Sequence, residues 1–247
     1  MKVIGVIPSR YASTRLPGKP LVSIAGKPLI QWVWEAASKA ESLSEIIVAT
    51  DDERIATVVR EFGGKAVMTS PDCASGTDRI AEAVRGMEAD VVVNIQGDEP
   101  LMSAANIDAC VNTLLDDLDA SVCTPMIPID NDGDYRAMHV VKVVTDARDY
   151  ALYFSRAPIP DVSRLDETER IHPGTAMKHL GLYVYRRQAL EEFVTMPPSR
   201  YELKEKLEQL RFLEAGYLIR MVEVANDSIG VDTPEDAAAV EVLLGKE

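Results

Sequence analysis

The sequence of 247 residues contains no apolar run approaching the roughly 20 residues that a membrane-spanning helix needs. It also lacks, at its N-terminus, the succession of positive, apolar and small residues that marks a secretory signal. We therefore expect a cytoplasmic protein with no membrane partner. At 47% hydrophobic and 27% charged residues, the composition is typical of a soluble globular protein with a substantial core.

Basic charge is scarce. The chain has 26 Lys and Arg against 40 Asp and Glu, and its formal net charge is −14. Because nucleic-acid binding needs a basic face, we expect no nucleic-acid partner. Cysteine is scarce as well, and the three that occur, Cys73, Cys110 and Cys123, lack the spacing of metal ligands. We interpret them as reduced thiols.

Acidic residues are missing altogether between Lys2 and Glu35. In this stretch an apolar run at 3–7 predicts a buried parallel strand, which breaks at Pro8 into a loop. The loop holds three basic residues, Arg10, Arg15 and Lys19. Guanidinium and ammonium groups at the carboxyl end of a strand suit a polyanion such as a triphosphate. The alternative is an ordinary solvated loop, and the spacing of a P-loop is absent.

Strand-like and helix-like runs alternate after this loop. The patterns predict a helix over 29–40, strands over 46–50 and 65–68, and between these strands a helix over 54–62. The acids at 51–53 are expected to cap the second of these helices. This alternation predicts right-handed βαβ units, and hence an α/β fold with a mostly parallel central sheet.

A second loop, at 70–79, precedes a predicted helix over about 78–86. Here Ser75, Gly76 and Thr77 offer small side chains and exposed backbone groups, which are typical of an anion or nucleotide-edge site at a helix N-terminus. The alternative is plain N-capping by Ser75 or Thr77.

The strongest strand signal, at 91–95, runs directly into Gln96-Gly97-Asp98. An acid at the carboxyl end of a central strand, after a glycine that permits a sharp turn, is well placed to hold Mg²⁺. Asp232, near the end of the chain, is the candidate second carboxylate, and Lys19 is expected to hold the phosphates. The alternatives are a turn aspartate at Asp98 and a helix cap at Asp232.

A series of ordered motifs resembles the CMP-KDO synthetases (3-deoxy-manno-octulosonate cytidylyltransferases) along nearly the whole chain. The motifs lie at 8–20, 75–79, 96–100, 142–144, 151–156, 178–181, 207–211 and 231–236. The resemblance implies a nucleotide-diphospho-sugar transferase fold (Rossmann-like αβα) in a single domain over 1–247. It also implies a subregion within 124–190 that is used to form a homodimer.

The activity implied by the resemblance is the transfer of CMP from CTP to 3-deoxy-D-manno-octulosonate (KDO), with Mg²⁺ as cofactor, in lipopolysaccharide biosynthesis. The implied catalytic residues are Lys19, Asp98 and Asp232, and the two acids are the implied metal ligands. The nucleotide contacts are Pro8, Arg10, Arg15, Lys19, Ser75, Gly76, Thr77, Arg79 and Gln96. The sugar contacts are Gln96, Arg156, His179, Tyr183, Glu208 and Gln209. Without the resemblance, His179 would be interpreted as a structural histidine, and Glu208 and Gln209 as a solvated helix face.

The later part of the chain carries further structural expectations. The patterns predict strands over 180–185 and 218–224, a helix over 201–215, and a closing helix over 234–244 capped by Asp232 or Thr233. Five apolar or aromatic residues give this region more apolar surface than a small lobe can easily bury, and this favours a homodimer. They are Tyr153, Phe154, Leu180, Leu182 and Tyr183.

Three functional hypotheses follow. The first is cytidylyl transfer to KDO. The second keeps the chemistry but changes the sugar, for example to an 8-amino analogue of KDO or another acidic sugar. It arises because Cys73-Ala74 and Met138-His139 stand where the family often has His-Gln and Pro-Asn. The third is a sugar-nucleotide-binding protein or glycosyltransferase on the same fold. A glycosyltransferase usually carries Asp-x-Asp after a strand, and Asp98-Glu99-Pro100 is not that motif.

Overall fold

The computed structural model describes residues 1–12, 16–166 and 176–244. The chain forms two compact units: Met1–Asp108 with Asp227–Glu247, and Ala109–Asn226. The segment 124–190 lies entirely within the second unit, whose bounds are wider. The single domain and the dimerisation role of that segment stay predictions.

The sheet of the first unit is parallel throughout. Its strands are β1 (Val3–Ser9), β4 (Glu45–Thr50), β5 (Lys65–Met68) and β6 (Val91–Asn94), in the order β5-β4-β1-β6. A separate hairpin pairs β2 (Ser23–Ile24) with β3 (Lys27–Pro28). The apolar side chains of β1 and β6 are buried, as expected for parallel strands covered on both faces. All four predicted parallel strands are therefore confirmed.

Helices connect and flank these strands. In chain order they are α1 (Leu29–Ala37), α2 (Glu53–Glu61), α3 (Gly76–Ala83), α4 (Ala104–Asp116), α5 (Asp132–Arg136), α6 (Arg187–Phe193), α7 (Arg200–Glu205), α8 (Gln209–Glu214) and α9 (Pro234–Leu244). The chain passes from the first unit to the second within α4, a helix that the sequence patterns did not predict.

Two of the expected caps are present. Asp52 caps α2, since its carboxylate accepts a hydrogen bond from the Arg54 backbone, and Ser75 caps α3 by accepting from the Asp78 backbone. These side chains satisfy N–H groups that have no partner within the helix. With Ser75 as the cap, α3 begins at Gly76, two residues earlier than predicted.

The sheet of the second unit is mostly antiparallel. Its strands are β7 (Val122–Pro128), β8 (Lys142–Thr145), β9 (Ala151–Ser155), β10 (Met177–His179), β11 (Tyr183–Arg186) and β12 (Ile219–Glu223). Their order is β11-β7-β10-β8-β9, and β12 pairs with β7 in parallel. The predicted late strand is therefore confirmed. The antiparallel pairs show that the βα alternation stops in this part of the chain.

The predicted strand over 180–185 is wrong in its bounds, because β10 ends at His179 and β11 begins at Tyr183. Opposite the interruption lies the buried side chain of Thr124, whose hydroxyl donates to the Leu182 carbonyl at 2.6 Å. The same hydroxyl lies 3.2 Å from the Leu180 carbonyl, so two carbonyls of the interruption face a side chain. The sequence pattern shows the apolar run but not this competing donor.

The predicted helix over 201–215 is also wrong, since α7 and α8 are separate helices. Lys206 ends α7 in the left-handed conformation, with φ of 57°, and its N–H donates to the Glu202 carbonyl. The next residue, Leu207, is buried. The helical spacing continues through this break, so burial of Leu207 favours a turn that the periodicity does not reveal.

No helix in the described part of the chain is long and apolar enough to cross a membrane.

Candidate active site

The two predicted metal-binding acids and the predicted phosphate-binding lysine meet in the first unit. Lys19 Nζ lies 2.6 Å from Asp98 Oδ2 and 2.9 Å from Asp232 Oδ1. Asp98 follows β6, and Asp232 precedes α9, so three distant parts of the chain contribute to one cluster. We call Lys19, Asp98 and Asp232 the acid–lysine cluster.

Lys19 is placed by a short 3-10 turn over Lys19–Leu21. Gly18 precedes the turn with φ of 68°, a left-handed conformation that glycine adopts without strain. The Gly18 N–H donates to the Tyr11 carbonyl at 3.1 Å, and the Leu21 N–H donates to the Gly18 carbonyl at 2.8 Å. These bonds hold the backbone from which the ammonium group reaches the two acids.

Asp98 is placed by a close approach of the backbone at Gly97. A Cβ at Gly97 would lie 2.7 Å from the Pro8 carbonyl oxygen and 3.1 Å from Ser9 Oγ. The expected turn is present, since Gly97 and Asp98 lie in a turn that follows β6. Glycine is needed there because the loop lies against the carboxyl end of β1.

Gly97→Ala is expected to lower kcat by about 100-fold, because displacing a reacting group by about 1 Å has an effect of that size. The new methyl group would meet backbone on its nearest side and push the Asp98 loop away. Steady-state kinetics and a thermal melt on the same preparation would check this. Gly230→Ala is the matched control, since a Cβ there would meet nothing within 4 Å. Normal turnover in Gly97→Ala would contradict the expected displacement.

Asp232 is not the cap of α9, so that alternative is wrong. The cap is Thr233, whose Oγ1 accepts from the Asp236 N–H at 3.2 Å. The Asp236 carboxylate in turn accepts from the backbone N–H groups of Asp232 and Thr233 at 3.0 and 2.9 Å. This reciprocal arrangement satisfies the start of the helix. It leaves the Asp232 carboxylate directed at Lys19.

The electrostatics of the acid–lysine cluster favour charge on the lysine. Burial lowers the pKa of Lys19, but the carboxylates of Asp98 and Asp232 outweigh burial and raise the pKa above its usual value. The Lys19 side chain is 16% exposed, and those of Asp98 and Asp232 are 33% and 39% exposed. The cluster is therefore open to solvent and ligands at the carboxylates.

The donor set of the cluster fits Mg²⁺. Two carboxylates already face one cation, the Lys19 ammonium, from 2.6 and 2.9 Å. No group of three or more His, Cys, Asp or Glu among the described residues forms a metal site of its own. Two protein carboxylates are nevertheless enough for Mg²⁺, which commonly takes its remaining ligands from substrate phosphates and water.

The predicted nucleotide loop lies beside β1. A Cβ at Gly76 would be 3.7 Å from the Pro8 side chain, so these two predicted contacts are neighbours. Thr77 is buried, and Gln96 is half-buried. The contact of these residues with a nucleotide stays a prediction.

The predicted basic contacts differ in their surroundings. Arg10 is exposed, whereas Arg15 lies outside the described residues. Arg79 is buried, and its guanidinium donates to Thr69 Oγ1 at 2.5 Å and to Asp51 Oδ2 at 3.2 Å. Arg79 therefore ties α3 to the segments that follow β5 and β4.

In the second unit, backbone carbonyls hold Arg156. Its Nε donates to the Glu205 carbonyl at 2.9 Å, its Nη1 to Met138 at 3.2 Å, and its Nη2 to Lys206 at 3.4 Å. The fully buried Lys142 donates to three carbonyls, one of them that of Arg156 at 2.7 Å. Burial lowers the pKa of Lys142. In the described part of the chain, the Arg156 guanidinium is therefore bound by backbone carbonyls rather than by a carboxylate.

His179 is 7% exposed, and its ring contacts the rings of Phe154 and Tyr183. Its Nε2 lies 2.8 Å from Thr124 Oγ1. Because the single Thr124 hydroxyl proton goes to the Leu182 carbonyl, His179 Nε2 must donate this bond. Burial lowers the pKa of His179 to about 3. The ring is therefore neutral at physiological pH, and its contact with a sugar stays a prediction.

The remaining predicted sugar contacts also lie in the second unit. The Tyr183 ring stacks on Tyr185, Gln209 is buried, and Glu208 is half-buried immediately before α8. The solvated-face alternative is therefore wrong for Gln209. Sequence reasoning did not single out Glu205, whose carboxylate accepts from Ser155 Oγ at 2.7 Å and from the Arg156 N–H at 2.9 Å. The one sequence feature that could have pointed to Glu205 is its position shortly before the motif at 207–211.

We expect acid to destabilise the protein through His179. The unfolded chain takes up a proton near pH 6.5, whereas folded His179 resists protonation until about pH 3. Stability from this residue is complete above pH 6.5 and falls below it, by about 1.4 kcal/mol of unfolding free energy per pH unit. Denaturant titrations between pH 7.5 and 5 would measure the slope. His179→Gln should flatten it, and the exposed His139→Gln should not. An unchanged slope in His179→Gln would refute the assignment.

The family model described as "Cytidylyltransferase" matches residues 4–223. The chain belongs to the cytidylyltransferase family. Among its cytidylyltransferase relatives, the 3-deoxy-manno-octulosonate cytidylyltransferase of Geobacter sulfurreducens is 50% identical over 245 residues, covering 97% of this chain and 98% of that protein. The enzyme of the same name from Bdellovibrio bacteriovorus is 47% identical, covering 100% and 99%.

Solved structures agree with this cytidylyltransferase assignment. A CMP:2-keto-3-deoxy-manno-octonic acid synthetase complexed with CTP superimposes with a TM-score of 0.92 at 42% identity, covering 100% of this chain and 99% of the other. A 4-diphosphocytidyl-2C-methyl-D-erythritol synthase from Anaerococcus prevotii, with a TM-score of 0.64 at 13% identity, shares the fold alone. The predicted family and the α/β fold class are confirmed.

Proposed function

We propose that this chain transfers CMP from CTP to KDO, giving CMP-KDO and pyrophosphate. The observation that carries the proposal is the acid–lysine cluster at the edge of a parallel sheet, in a chain 50% identical to a 3-deoxy-manno-octulosonate cytidylyltransferase. A hydroxyl oxygen of the sugar bonds to the α-phosphorus of CTP, and the bond from that phosphorus to the β-phosphate oxygen breaks. The hydroxyl proton passes to solvent, and pyrophosphate leaves.

The basic residues of the first unit would bind the triphosphate. Arg10 is exposed, and Lys19 carries a charged ammonium group held by the two acids. Charge on both side chains offsets the negative charge of the phosphates and of the departing pyrophosphate. Pro8 and Gly76, which lie side by side, would border the base and leave little room for a purine.

Asp98 and Asp232 would hold Mg²⁺. When bound there, the ion would neutralise phosphate charge and lower the pKa of the attacking hydroxyl. The protein's own part is to direct two carboxylates to one point from separate loops. A backbone hydrogen bond from Val231 N–H to the Asp98 carbonyl, 2.8 Å long, joins those loops.

The acid sugar brings a carboxylate, for which an arginine is a suitable bidentate partner, and we assign this role to Arg156. His179, Tyr183, Glu208, Gln209 and Gln96 complete the proposed sugar contacts. Met138 is one of the residues that depart from the family pattern, and its carbonyl accepts a hydrogen bond from the Arg156 guanidinium. The departure therefore falls beside a proposed sugar contact, which is the observation that keeps an 8-amino analogue of KDO as the second candidate.

Pyrophosphate release tests the function directly. Each of CTP, UTP, ATP and GTP would be combined with KDO, its 8-amino analogue and a sialic acid, in the presence of Mg²⁺. We expect CTP with KDO to give the highest kcat/KM. A higher kcat/KM for the 8-amino sugar would establish the second candidate. Equal turnover with a purine nucleotide, or no turnover with any acid sugar, would refute cytidylyl transfer.

We also propose a cytoplasmic homodimer that acts in lipopolysaccharide biosynthesis. The expectation that Phe154, Leu180 and Leu182 contribute apolar surface to a dimer is wrong, because all three are buried within the second unit itself. Support comes instead from Leu152, 61% exposed on β9, the last strand in the order of that sheet. Sedimentation at micromolar concentration should give twice the chain mass of 27.1 kDa. A monomer would contradict the dimer.

A further inference from the structure

Tyr11 lies directly against Gly18, the residue that precedes the Lys19 turn. The Tyr11 carbonyl accepts the Gly18 N–H at 3.1 Å, and a Cβ built on Gly18 would be 3.2 Å from the Tyr11 ring. Gly18 is buried, although it belongs to a loop. The ring therefore covers the backbone from which Lys19 extends.

The Tyr11 ring is also covered by an arginine, Arg54. The guanidinium carbon of Arg54 lies 3.4 Å from the centroid of the Tyr11 ring, which is van der Waals contact. Arginine stacks on aromatic rings in this way through cation–π attraction. Because Arg54 lies in the first turn of α2, the contact connects the phosphate-binding loop to a regular helix.

Asp52 orients the guanidinium. Its carboxylate accepts from Arg54 Nε at 2.9 Å and from Arg54 Nη2 at 2.6 Å, a two-point contact that fixes the plane of the group. The same carboxylate caps α2 by accepting from the Arg54 backbone at 2.9 Å. One acid thus holds both the helix start and the stacked side chain.

We propose that Asp52, Arg54 and Tyr11 form a strap that positions Lys19 for the triphosphate. The strap runs from the cap of α2, through the stacked guanidinium and the tyrosine ring, to Gly18 and Lys19. All three are positioning residues, since they act on Lys19 through Gly18 and its turn. The proposal rests on the proposed function, since it names what sets the geometry of the nucleotide-binding lysine.

Because Arg54 lies at the surface, we expect the strap to affect nucleotide binding more than global stability. Arg54 is exposed, and exposed ion pairs contribute little to global stability. Arg54→Gln should therefore leave the melting temperature nearly unchanged and loosen the turn at 18–22. Looser placement of Lys19 should weaken nucleotide binding and turnover. A stacking contact that does not position Lys19 would change neither when it is removed.

The test uses Arg54→Gln, Tyr11→Ala and the double variant in the full-length chain. We expect the CTP dissociation constant to rise about 3-fold in Arg54→Gln, the size of a cation–π contribution. In Tyr11→Ala it should rise about 10-fold, since the apolar cover of Gly18 is lost as well. Because both act through one contact, the double variant should resemble Tyr11→Ala rather than the product of the two effects. Tyr11→Phe, which keeps the ring, should restore affinity.

Arg60→Gln is the matched control, since Arg60 is exposed on the same helix and pairs with Glu53. Hydrogen exchange of the amides at 18–22 in the ligand-free protein should accelerate in Tyr11→Ala and Arg54→Gln but not in Arg60→Gln. Unchanged CTP affinity and unchanged exchange in both strap variants would overturn the strap. Failure of the wild-type protein to bind CTP would instead overturn the proposed function, while the exchange measurement would still decide the strap.

Discussion

Asp98→Asn is expected to remove most of the turnover while leaving CTP affinity close to that of the wild type. We expect kcat to fall by about 1,000-fold, the usual size of losing a group that stabilises charge in the transition state. Under the proposed function the triphosphate is bound by Lys19 and Arg10 and carries its own metal, so its binding should survive. Single-turnover rates, CTP titration and a thermal melt on one preparation would measure the three quantities.

Two further variants sharpen this result. Asp232→Asn should behave like Asp98→Asn, and the double variant should be little worse than either, because each acid alone leaves the same cluster broken. Asp90→Asn, at an exposed aspartate just before β6, is the matched control. A folded Asp98→Asn enzyme with near-normal turnover would refute the metal-binding role.

Lys19→Met is expected to weaken both CTP binding and turnover. The thioether keeps the apolar stem and removes the ammonium group, which separates loss of charge from loss of packing. We expect CTP affinity to fall by about 10-fold or more, since one charge-assisted contact with phosphate contributes roughly 1.5–3 kcal/mol. Lys19→Ala should show the same two losses. Lys27→Met is the control, because Lys27 is a partly exposed lysine paired with Glu35 away from the cluster.

The pH dependence of Lys19→Met offers a second readout. The folded pKa of Lys19 is raised, so its stabilising contribution is present below about 10.5, the unperturbed value, and is lost only as the pH rises through the higher folded pKa. Without the ammonium group, Asp98 and Asp232 face each other as like charges. Because the variant lacks the Lys19 contribution at every pH, its deficit in melting temperature should shrink as the pH rises above about 10.5 toward the folded pKa of Lys19. A deficit independent of pH would indicate lost packing instead.

The first unit was largely predictable because local signals there agree with tertiary structure. The run at 91–95 is apolar because β6 is buried, and Ser75 caps α3 as its residue type predicts. In the acid–lysine cluster, Asp98 is 79 positions away from Lys19 along the chain, and Asp232 is 213 positions away. The separate strand ends and the family resemblance indicated its members, but no pattern showed Lys19 lying between the two acids.

The second unit was less predictable, because its local patterns compete with long-range contacts. The apolar run at 180–185 is divided by a hydroxyl group on another strand, that of Thr124. The helical spacing at 201–215 continues across Lys206, where burial of the neighbouring Leu207 favours a left-handed turn. Each deviation depends on a residue or a burial pattern that the affected window does not contain.

Two adjacent residues have separate roles. Thr233 caps α9 together with Asp236, whereas Asp232 belongs to the acid–lysine cluster. Since the helix start depends on the side chains of Thr233 and Asp236, position 232 can change without fraying α9. A variant at Asp232 therefore reports on chemistry, and a variant at Thr233 reports on folding. The chain thus contains its own pair of diagnostic positions, one residue apart, for telling a broken enzyme from an unfolded one.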